Sequence, residues 1–211
     1  MKMPGVTIIE HPLLRVKLTT LRDQRTGPEE FRTRLAELAT LLLFEATRDL
    51  GTQPLLIRTP LCSHEGAELA RPIVLVPILR AGLGMVGGIL PFLPGASVGH
   101  IGMKRDEHTH RPLPYYCNLP AHITHAEVLV LDPMLATGHS ATDSITQLKA
   151  AGARHLRFLC CLSAPAGLTQ LRTAHPDVPI YTAAVDDGLD ANAYITPGLG
   201  DAGDRCFGTV G

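Results

Sequence analysis

The chain has 211 residues, 45% of them hydrophobic and 18% charged, so it can bury a sizeable core as one domain. Its formal net charge of −1 gives no support for non-specific nucleic-acid binding, which needs a basic face. Gly, Pro and charged residues interrupt every apolar run before it reaches membrane-spanning length, and the N-terminus lacks the pattern of a signal peptide. We therefore expect a globular chain that neither enters a membrane nor binds nucleic acid.

Cysteine usage indicates the compartment. The chain has five cysteines, an odd number, with no Cys-x-x-Cys, which argues against a disulfide framework and against a structural zinc site. Cys160 and Cys161 lie inside an apolar run and are predicted to be buried. These features favour a reducing, cytoplasmic location.

The first half of the chain predicts two helices before a buried strand. Thr26 and Glu29 fit a capping box, and the helix after them carries an apolar stripe that suits a core or a subunit interface. In order, we expect an edge strand at 6–9, helices at 13–22 and 28–50, two strand-like pieces within 54–71, a buried strand at 73–76 and a helix at 82–93.

The second half alternates strands and helices. A charged run at 104–111 without apolar periodicity predicts an exposed, mobile loop, and 112–116 predicts the arm of a hairpin or flap. Strands are expected at 98–103, 127–131, 156–162 and 178–185, and helices at 141–151 and 164–174. This rhythm indicates an α/β fold with a mainly parallel, doubly wound sheet and helices on both faces.

The stretch from Val128 to Ser140 carries the strongest functional signal. A buried strand ends at Asp132, and a small-residue loop leads into a helix that Ser140 would cap, with Asp143 three residues later. Such a loop aims backbone N–H groups and a helix dipole at one point, which suits a phosphate. Asp132 could bind sugar hydroxyls or a metal-bound water. The loop is neither a Walker A motif nor Gly-x-Gly-x-x-Gly.

Two further segments indicate binding. Arg80 lies between apolar residues at the end of a buried strand, where an arginine typically meets an anion. Residues 194–205 contain three glycines and a proline, which we take to exclude a helix and a central strand. With Cys206 and Phe207 as an apolar anchor, this loop could bind a planar base through its own N–H and C=O groups.

Three motifs occur in a familiar order: Pro77–Gly84, Asp132–Gly138 and Pro197–Asp204. Together they resemble the type I phosphoribosyltransferases, and the sequence of each motif resembles that of the uracil phosphoribosyltransferase family. This resemblance extends over nearly the whole chain. The resemblance implies a single domain, 1–211, with a flexible loop and flap at about 104–126 and a uracil-binding segment at about 186–211. It also implies transfer of the phosphoribosyl group from phosphoribosyl pyrophosphate (PRPP) to uracil, giving uridine monophosphate (UMP) and pyrophosphate with Mg²⁺.

The resemblance assigns residues as follows. Asp201, Arg105 and Asp132 would form the catalytic set, and uracil would contact Ile195, Gly200, Asp201 and Ala202. PRPP would contact Arg80, Arg105, Asp132, Pro133, Met134, Leu135, Ala136, Thr137, Gly138, His139, Ser140 and Asp201. Magnesium would be held mainly through PRPP rather than by a protein cage. The family also suggests a homodimer or larger homo-oligomer, with GTP as a candidate activator.

Two positions qualify the resemblance. The family usually has a second glycine where this chain has His139, which is bulkier and less tolerant of positive φ; we expect binding to survive because the donors are backbone groups. Ala136 stands where many purine enzymes carry an acid, which favours a pyrimidine.

Two other functions remain open from the sequence. One is a regulatory protein of the same fold that binds nucleotides and RNA, which the lack of a basic balance disfavours. The other is an enzyme that uses a purine or orotate. The carboxylate of orotate would call for an extra cation near the base, and residues 195–202 contain none.

Overall fold

A computed structural model describes residues 3–105 and 112–209 of the chain, without the side chains of 104–105 and 112–114. The strands are β1 Val6–Ile8, β2 Thr52–Arg58, β3 Ser63–Leu69, β4 Ile73–Leu79, β5 Ser97–Val98, β6 His100–Arg105, β7 Pro112–Asn118, β8 Glu127–Leu131, β9 Met134–Leu135, β10 His155–Ser163, β11 Ile180–Val185, β12 Gly188–Leu189 and β13 Ile195–Thr196. The α-helices are α1 Pro12–Arg22, α2 Pro28–Ala46, α3 Leu83–Ile89, α4 His139–Ala150, α5 Pro165–Ala174 and α6 Ala202–Phe207.

The main sheet has the strand order β1-β11-β10-β8-β4-β6-β7, with β5 paired to β4 and β9 to β10. All of these pairs are parallel except β6–β7. The predicted parallel α/β sheet and the predicted extended arm at 112–116 are confirmed. Because β4, β8 and β10 are neighbours, their carboxyl ends meet at one edge of the sheet.

Helices cover both faces of this sheet. Alternate residues of β4 point to opposite sides: Leu75 packs with α1, α2 and α3, whereas Val74 and Val76 pack with α4 and α5. The central strands are apolar on both faces for this reason. No helix in the described ranges is long and apolar enough to cross a membrane.

The helix α2 begins at Pro28 as predicted, but its predicted cap and its predicted end are wrong. Gly27 occupies the N-cap and no side chain caps the helix, so the predicted capping box of Thr26 and Glu29 does not form. The Thr26 hydroxyl instead donates to the carbonyl of Thr20 in the preceding helix. The helix ends at Ala46 rather than near Gly51. Contacts with α1 therefore override the local capping signal.

The C-terminal segment also differs from its prediction. Residues 202–207 form α6, although the glycines and proline of 194–205 were taken to exclude a helix. The Asp201 side chain caps α6 by accepting a hydrogen bond from Asp204 N at 2.9 Å. Cys206 is buried, as predicted for an anchor, but Phe207 is 39% exposed.

Strands β2 and β3 form an antiparallel hairpin outside the main sheet. Almost all of its residues are exposed on both faces. Leu56 is 78% exposed and Leu61, at the tip, is 94% exposed. Nothing within the described chain covers these apolar side chains. Because a lone two-stranded hairpin is only marginally stable in water, this hairpin needs a covering layer.

Candidate active site

A cleft of about 360 Å³ opens at the carboxyl ends of the parallel strands. It brings together the residues predicted from two distant motifs, the loop after β8 and the segment before α6. The predicted residues on its wall are Asp132, Met134, Ala136, Thr137, His139, Ser140, Ile195, Gly200, Asp201 and Ala202. The fold therefore places the predicted phosphate loop opposite the predicted base-binding segment.

Asp132 lies at the base of this cleft, directly after β8. Burial raises the pKa of its carboxyl group to about 7, and the charge of Asp201 adds to the rise. The backbone N–H of Met134 donates to Asp132 Oδ1 at 3.5 Å and opposes the rise. A carboxyl group with a pKa near neutrality in a cleft is typical of a functional site.

The loop after Asp132 is fastened to β10 by its carbonyl groups. The carbonyl oxygen of Pro133 accepts from Cys161 N at 2.9 Å and from Leu162 N at 3.0 Å, and that of Leu135 accepts from Ala164 N at 2.9 Å. Pro133 and Leu135 are buried and do not line the cleft. Their backbone fixes the path of the loop.

Gly138, also off the cleft wall, has a φ of +82° and occupies the N-cap of α4. A Cβ atom there would lie 2.8 Å from the carbonyl oxygen of Gly167, and one at Gly167 would lie 2.5 Å from that of Leu135. Two glycines thus let the loop pack directly on the start of α5. The prediction missed Gly167, which carries no local signal because its partner is nearly thirty residues away in sequence.

The predicted cap of α4 is wrong. Ser140 lies inside the helix, because the turn that begins it is made by Gly138 and not by a side chain. The N–H groups of the first helical turn have no carbonyl partner in the helix, so they remain available to an anion at the cleft. His139 is exposed and the positive φ falls on Gly138, so the concern that His139 would have to adopt it does not hold.

Asp201 faces Asp132 across the cleft. Its Oδ1 accepts from Asp204 N as the cap of α6, which sets its orientation, and the residue is otherwise exposed. Ile195, in β13, is buried beneath the same wall. The peptide bond between Thr196 and Pro197 is cis, and Gly198 and Gly200 both have positive φ. Gly200 has no side chain and Ala202 only a methyl group, so the backbone groups of this segment are open to the cleft.

Arg80 does not line the cleft. It is about half exposed, and Nη2 donates to Asp204 Oδ1 at 2.9 Å while Nη1 donates to the hydroxyl of Thr209 at 3.3 Å. The hydroxyl of Thr209 donates to Asp204 Oδ1 at 2.6 Å, and this hydrogen bond, followed by that from Arg80, holds the pKa of Asp204 below its usual value. Residues 104 and 105 extend β6 and do not begin the loop predicted at 104–111. The side chain of Arg105 and the rest of that loop, residues 106–111, lie outside the described residues.

Part of the wall, formed by Ala81, Gly203 and residues 192–194, was not assigned residue by residue, although 192–194 and Gly203 lie in the predicted uracil-binding segment at about 186–211. Asn192, Ala193 and Tyr194 form the turn between β12 and β13, and Ala193 has a φ of +64°. The Asp190 carboxylate closes this turn by accepting from Asn192 N at 2.9 Å and Tyr194 N at 2.8 Å. Asp190 followed by Asn192 is a turn signal that could have indicated it.

The carboxylate groups in the cleft suit a magnesium ion that makes few contacts with the protein itself. Across 3–105 and 112–209, no three His, Cys, Asp or Glu side chains converge to form a metal site. Asp132 and Asp201 nevertheless bring two carboxylate groups to one cavity, and Mg²⁺ prefers such oxygen ligands. They fit an ion that carries most of its ligands with it on a phosphorylated substrate.

Comparison with known proteins identifies the family. The model of the uracil phosphoribosyltransferase family matches residues 8–209. The uracil phosphoribosyltransferase of Clostridium kluyveri is 52% identical over 208 residues, which cover 98% of this chain and 100% of that protein. That of Salinibacter ruber is 51% identical over 207 residues, or 98% of this chain and 99% of that protein.

Solved structures agree with this fold. A protein from Aquifex aeolicus has a TM-score of 0.92 at 36% identity, covering 96% of this chain and 97% of that one. An adenine phosphoribosyltransferase from Trypanosoma brucei has a TM-score of 0.60 at 13% identity, over 94% of this chain and 89% of that one, and shares the fold alone. On the family match and the identity to its relatives, the chain belongs to the uracil phosphoribosyltransferase family.

Proposed function

We propose that this chain transfers the phosphoribosyl group of PRPP to uracil, giving UMP and pyrophosphate in pyrimidine salvage, and that the reaction takes place in the cleft between Asp132 and Asp201. The family supports the reaction. The observation that carries the location is the convergence of the acid after β8, the start of α4 and the segment before α6 on one cavity. The reaction joins a sugar phosphate to a planar base, so the groups that bind the two substrates must face one cavity.

The first wall would hold the ribose 5-phosphate part of PRPP. The N–H groups at the start of α4 and the hydroxyls of Thr137 and Ser140 are donors for the 5′-phosphate. Asp132 would accept hydrogen bonds from the ribose hydroxyls. Its raised pKa is suited to a cleft in which positive charge develops on the ribose as pyrophosphate departs, since that charge favours the ionised carboxylate.

The opposite wall would bind uracil, through Ile195, Gly200, Asp201 and Ala202. Uracil presents two carbonyl oxygens and N–H donors, which match backbone N–H and C=O groups. Asp201, which also faces the PRPP side, would help to align the base with the anomeric carbon. Positioning of this kind lowers the barrier by removing the entropic cost of bringing the two reactants together.

The leaving pyrophosphate needs cations. Arg80 and Arg105 are our candidates, with Arg105 carried by the arm at about 104–126. Arg80 would have to exchange or share its contact with Asp204 to reach the phosphate oxygens. Mg²⁺, when bound, would neutralise the charge that develops on the pyrophosphate, with Asp132 and Asp201 as the nearest carboxylates that the chain offers.

We also propose that the chain works as a homodimer or larger assembly in the cytoplasm. The uncovered hairpin β2–β3 supports assembly, because a second copy would cover Leu56 and Leu61. The cysteines support a reducing compartment, because all five are unpaired thiols. GTP is a further candidate ligand, tested by its effect on turnover.

Two substitutions test the location of the reaction. Asp201→Asn keeps the shape of the α6 cap but removes a carboxylate from the cleft. Asp132→Asn replaces the carboxyl group at the base of the cleft with an amide of the same shape. We expect both to lower UMP formation about a hundredfold or more, as the loss of a transition-state contact does. Asp177→Asn, at an exposed carboxylate off the wall, is the matched control. Full activity in both cleft variants would place the reaction elsewhere.

A further inference from the structure

A buried ion pair lies behind the wall that we assign to uracil. Arg22 is the last residue of α1, and Asp186 follows β11, 164 residues later. Arg22 donates Nη2 to Asp186 Oδ1 at 2.6 Å and Nη1 to Oδ2 at 2.7 Å. The side chain of Asp186 is 6% exposed and that of Arg22 is 27% exposed. A bidentate pair of this kind has a fixed orientation.

The same two side chains hold both backbone groups of Gly198. Arg22 Nη1 donates to the carbonyl oxygen of Gly198 at 2.8 Å, and Asp186 Oδ2 accepts from Gly198 N at 2.8 Å. Gly198 has a φ of +59°, and a Cβ atom there would lie 1.9 Å from the carbonyl oxygen of Ile195. One ion pair thus fixes the peptide groups on both sides of a residue that only glycine can occupy.

A second arginine fastens the next residue to the same part of the fold. Arg205 Nη1 donates to the carbonyl oxygen of Leu199 at 2.9 Å, and Nη2 donates to that of Asp23 at 2.6 Å. Its guanidinium group lies 4.6 Å from the ring centroid of Phe31. Residues 198 and 199 are therefore tied to the end of α1 and to the turn after it. Neither Arg22 nor Asp186 lines the cleft.

We infer that Arg22 and Asp186 are positioning residues for the base, a role that rests on the proposed function. They act through Gly198, which lies between Ile195 and Gly200 in the wall that would bind uracil. A base bound by backbone groups depends on the path of the chain, because a backbone group cannot adjust by changing rotamer. A small displacement of reacting groups has a large effect on rate and binding.

The effect of this ion pair should be selective for one substrate. The wall that would hold PRPP is fastened separately, by the carbonyl groups of Pro133 and Leu135 to β10 and to Ala164. Asp201, the residue of this segment that we also assign to PRPP, is held separately as the cap of α6 by Asp204 N. Loss of the Arg22–Asp186 pair leaves all of these contacts in place. It therefore weakens the binding of uracil without an equal effect on PRPP.

The test compares Arg22→Lys and Asp186→Asn with the control Arg25→Lys. Lysine keeps the charge but cannot span both Asp186 and Gly198, and asparagine keeps the shape but loses the charge. Arg25 lies in the turn after α1, three residues beyond Arg22, and the hydrogen bonds of its side chain go to Asp23. We expect the KM for uracil to rise about tenfold in both variants, with the KM for PRPP within about twofold of wild type and the control unchanged.

Amide hydrogen exchange gives a readout that needs no substrate. Residues 195–201 should exchange faster in Arg22→Lys and Asp186→Asn than in wild type or in Arg25→Lys. An equal rise of both KM values, or an unchanged uracil KM, in a folded variant would overturn the positioning role; so would unchanged exchange. Each variant decides the matter alone if the other does not fold. Turnover of uracil by the wild type tests the proposed function separately.

Discussion

At the scale of single residues, Asp132 makes the sharpest prediction about pH. Its carboxyl pKa is about 7 in the folded chain, above the ordinary value of 3.8, so the folded state binds the proton more tightly than the unfolded chain does. This favours folding below about pH 4, and the advantage is lost as the pH rises through 7. The contribution of Asp132 to stability therefore falls across this range.

Asp132→Asn removes that dependence. We expect the melting temperature of the variant minus that of the wild type to be larger at pH 8 than at pH 4.5. Each kcal/mol of stability corresponds to ~2–4 °C for a chain of this size. Thermal denaturation of both proteins without ligand at the two pH values measures the difference. A difference in melting temperature that is the same at both pH values would show that folding does not raise the pKa of Asp132.

Gly138 and His139 are adjacent but should respond differently to substitution. Gly138→Ala forces a left-handed conformation on alanine and brings its Cβ to 2.8 Å from the carbonyl oxygen of Gly167. We expect a loss of about 1–2 kcal/mol or more in the free energy of unfolding, measured by urea denaturation, together with weaker PRPP binding. A variant as stable as wild type would contradict the left-handed turn.

His139→Gly should have a small effect on the KM for PRPP. His139 is exposed and within the helical turn, so its replacement leaves the N–H donors of α4 in place. We expect the KM for PRPP to change less than about threefold, with a loss of about 0.5–1 kcal/mol in stability from glycine in a helix. Steady-state kinetics at saturating uracil measures the first. A tenfold change would show that the imidazole itself contacts PRPP.

At the scale of elements, the hairpin β2–β3 is the least self-sufficient part of the described structure. Every other strand pair of more than two residues belongs to the main sheet, whereas this hairpin exposes Leu56 and Leu61 to solvent. Its stability requires a covering layer, and a second copy of the chain is the layer that we propose.

Leu56→Lys with Leu61→Lys tests this assembly. Two charges on the uncovered face should shift a dimer toward monomer without unfolding the main sheet, because neither side chain enters the core. Sedimentation equilibrium gives the mass. Thr33→Lys, an exposed change on α2, is the control for added charge. A wild type that is monomeric, or a double variant that assembles as well as the wild type, would exclude the hairpin as the interface.

The elements differ in how far the sequence could predict them. Buried strands such as β4 and β8 were predictable because both of their faces are apolar, and the phosphate loop was predictable because it follows β8 directly. The caps of α2 and α4 were not, since they depend on contacts of Thr26 with α1 and of Gly138 with α5. Helix α6 was missed because contacts of Arg205 with residues 21–26 stabilise it.

At the scale of the whole molecule, topology explains how one cleft forms from distant motifs. β4, β8 and β10 are neighbours and parallel, so the loops that follow them meet at one edge. The order of the sheet follows from the alternation of strands and helices and was predictable as a class. The placement of residues 195–201 opposite Asp132 was predicted through the family resemblance and not from the residues themselves, because it depends on the Arg22–Asp186 and Arg205 contacts across more than 160 residues.

The measurement that tests the central claim most directly is product formation from PRPP with magnesium. Uracil, orotate, hypoxanthine and adenine are offered separately to the wild-type chain. We predict UMP and pyrophosphate from uracil and no nucleotide from the other three bases. Ile195 and Gly200–Ala202 offer no cation for the carboxylate of orotate, and the phosphate loop has Ala136 where many purine enzymes carry an acid. Turnover of another base in preference to uracil, or no turnover of any base, would contradict the account.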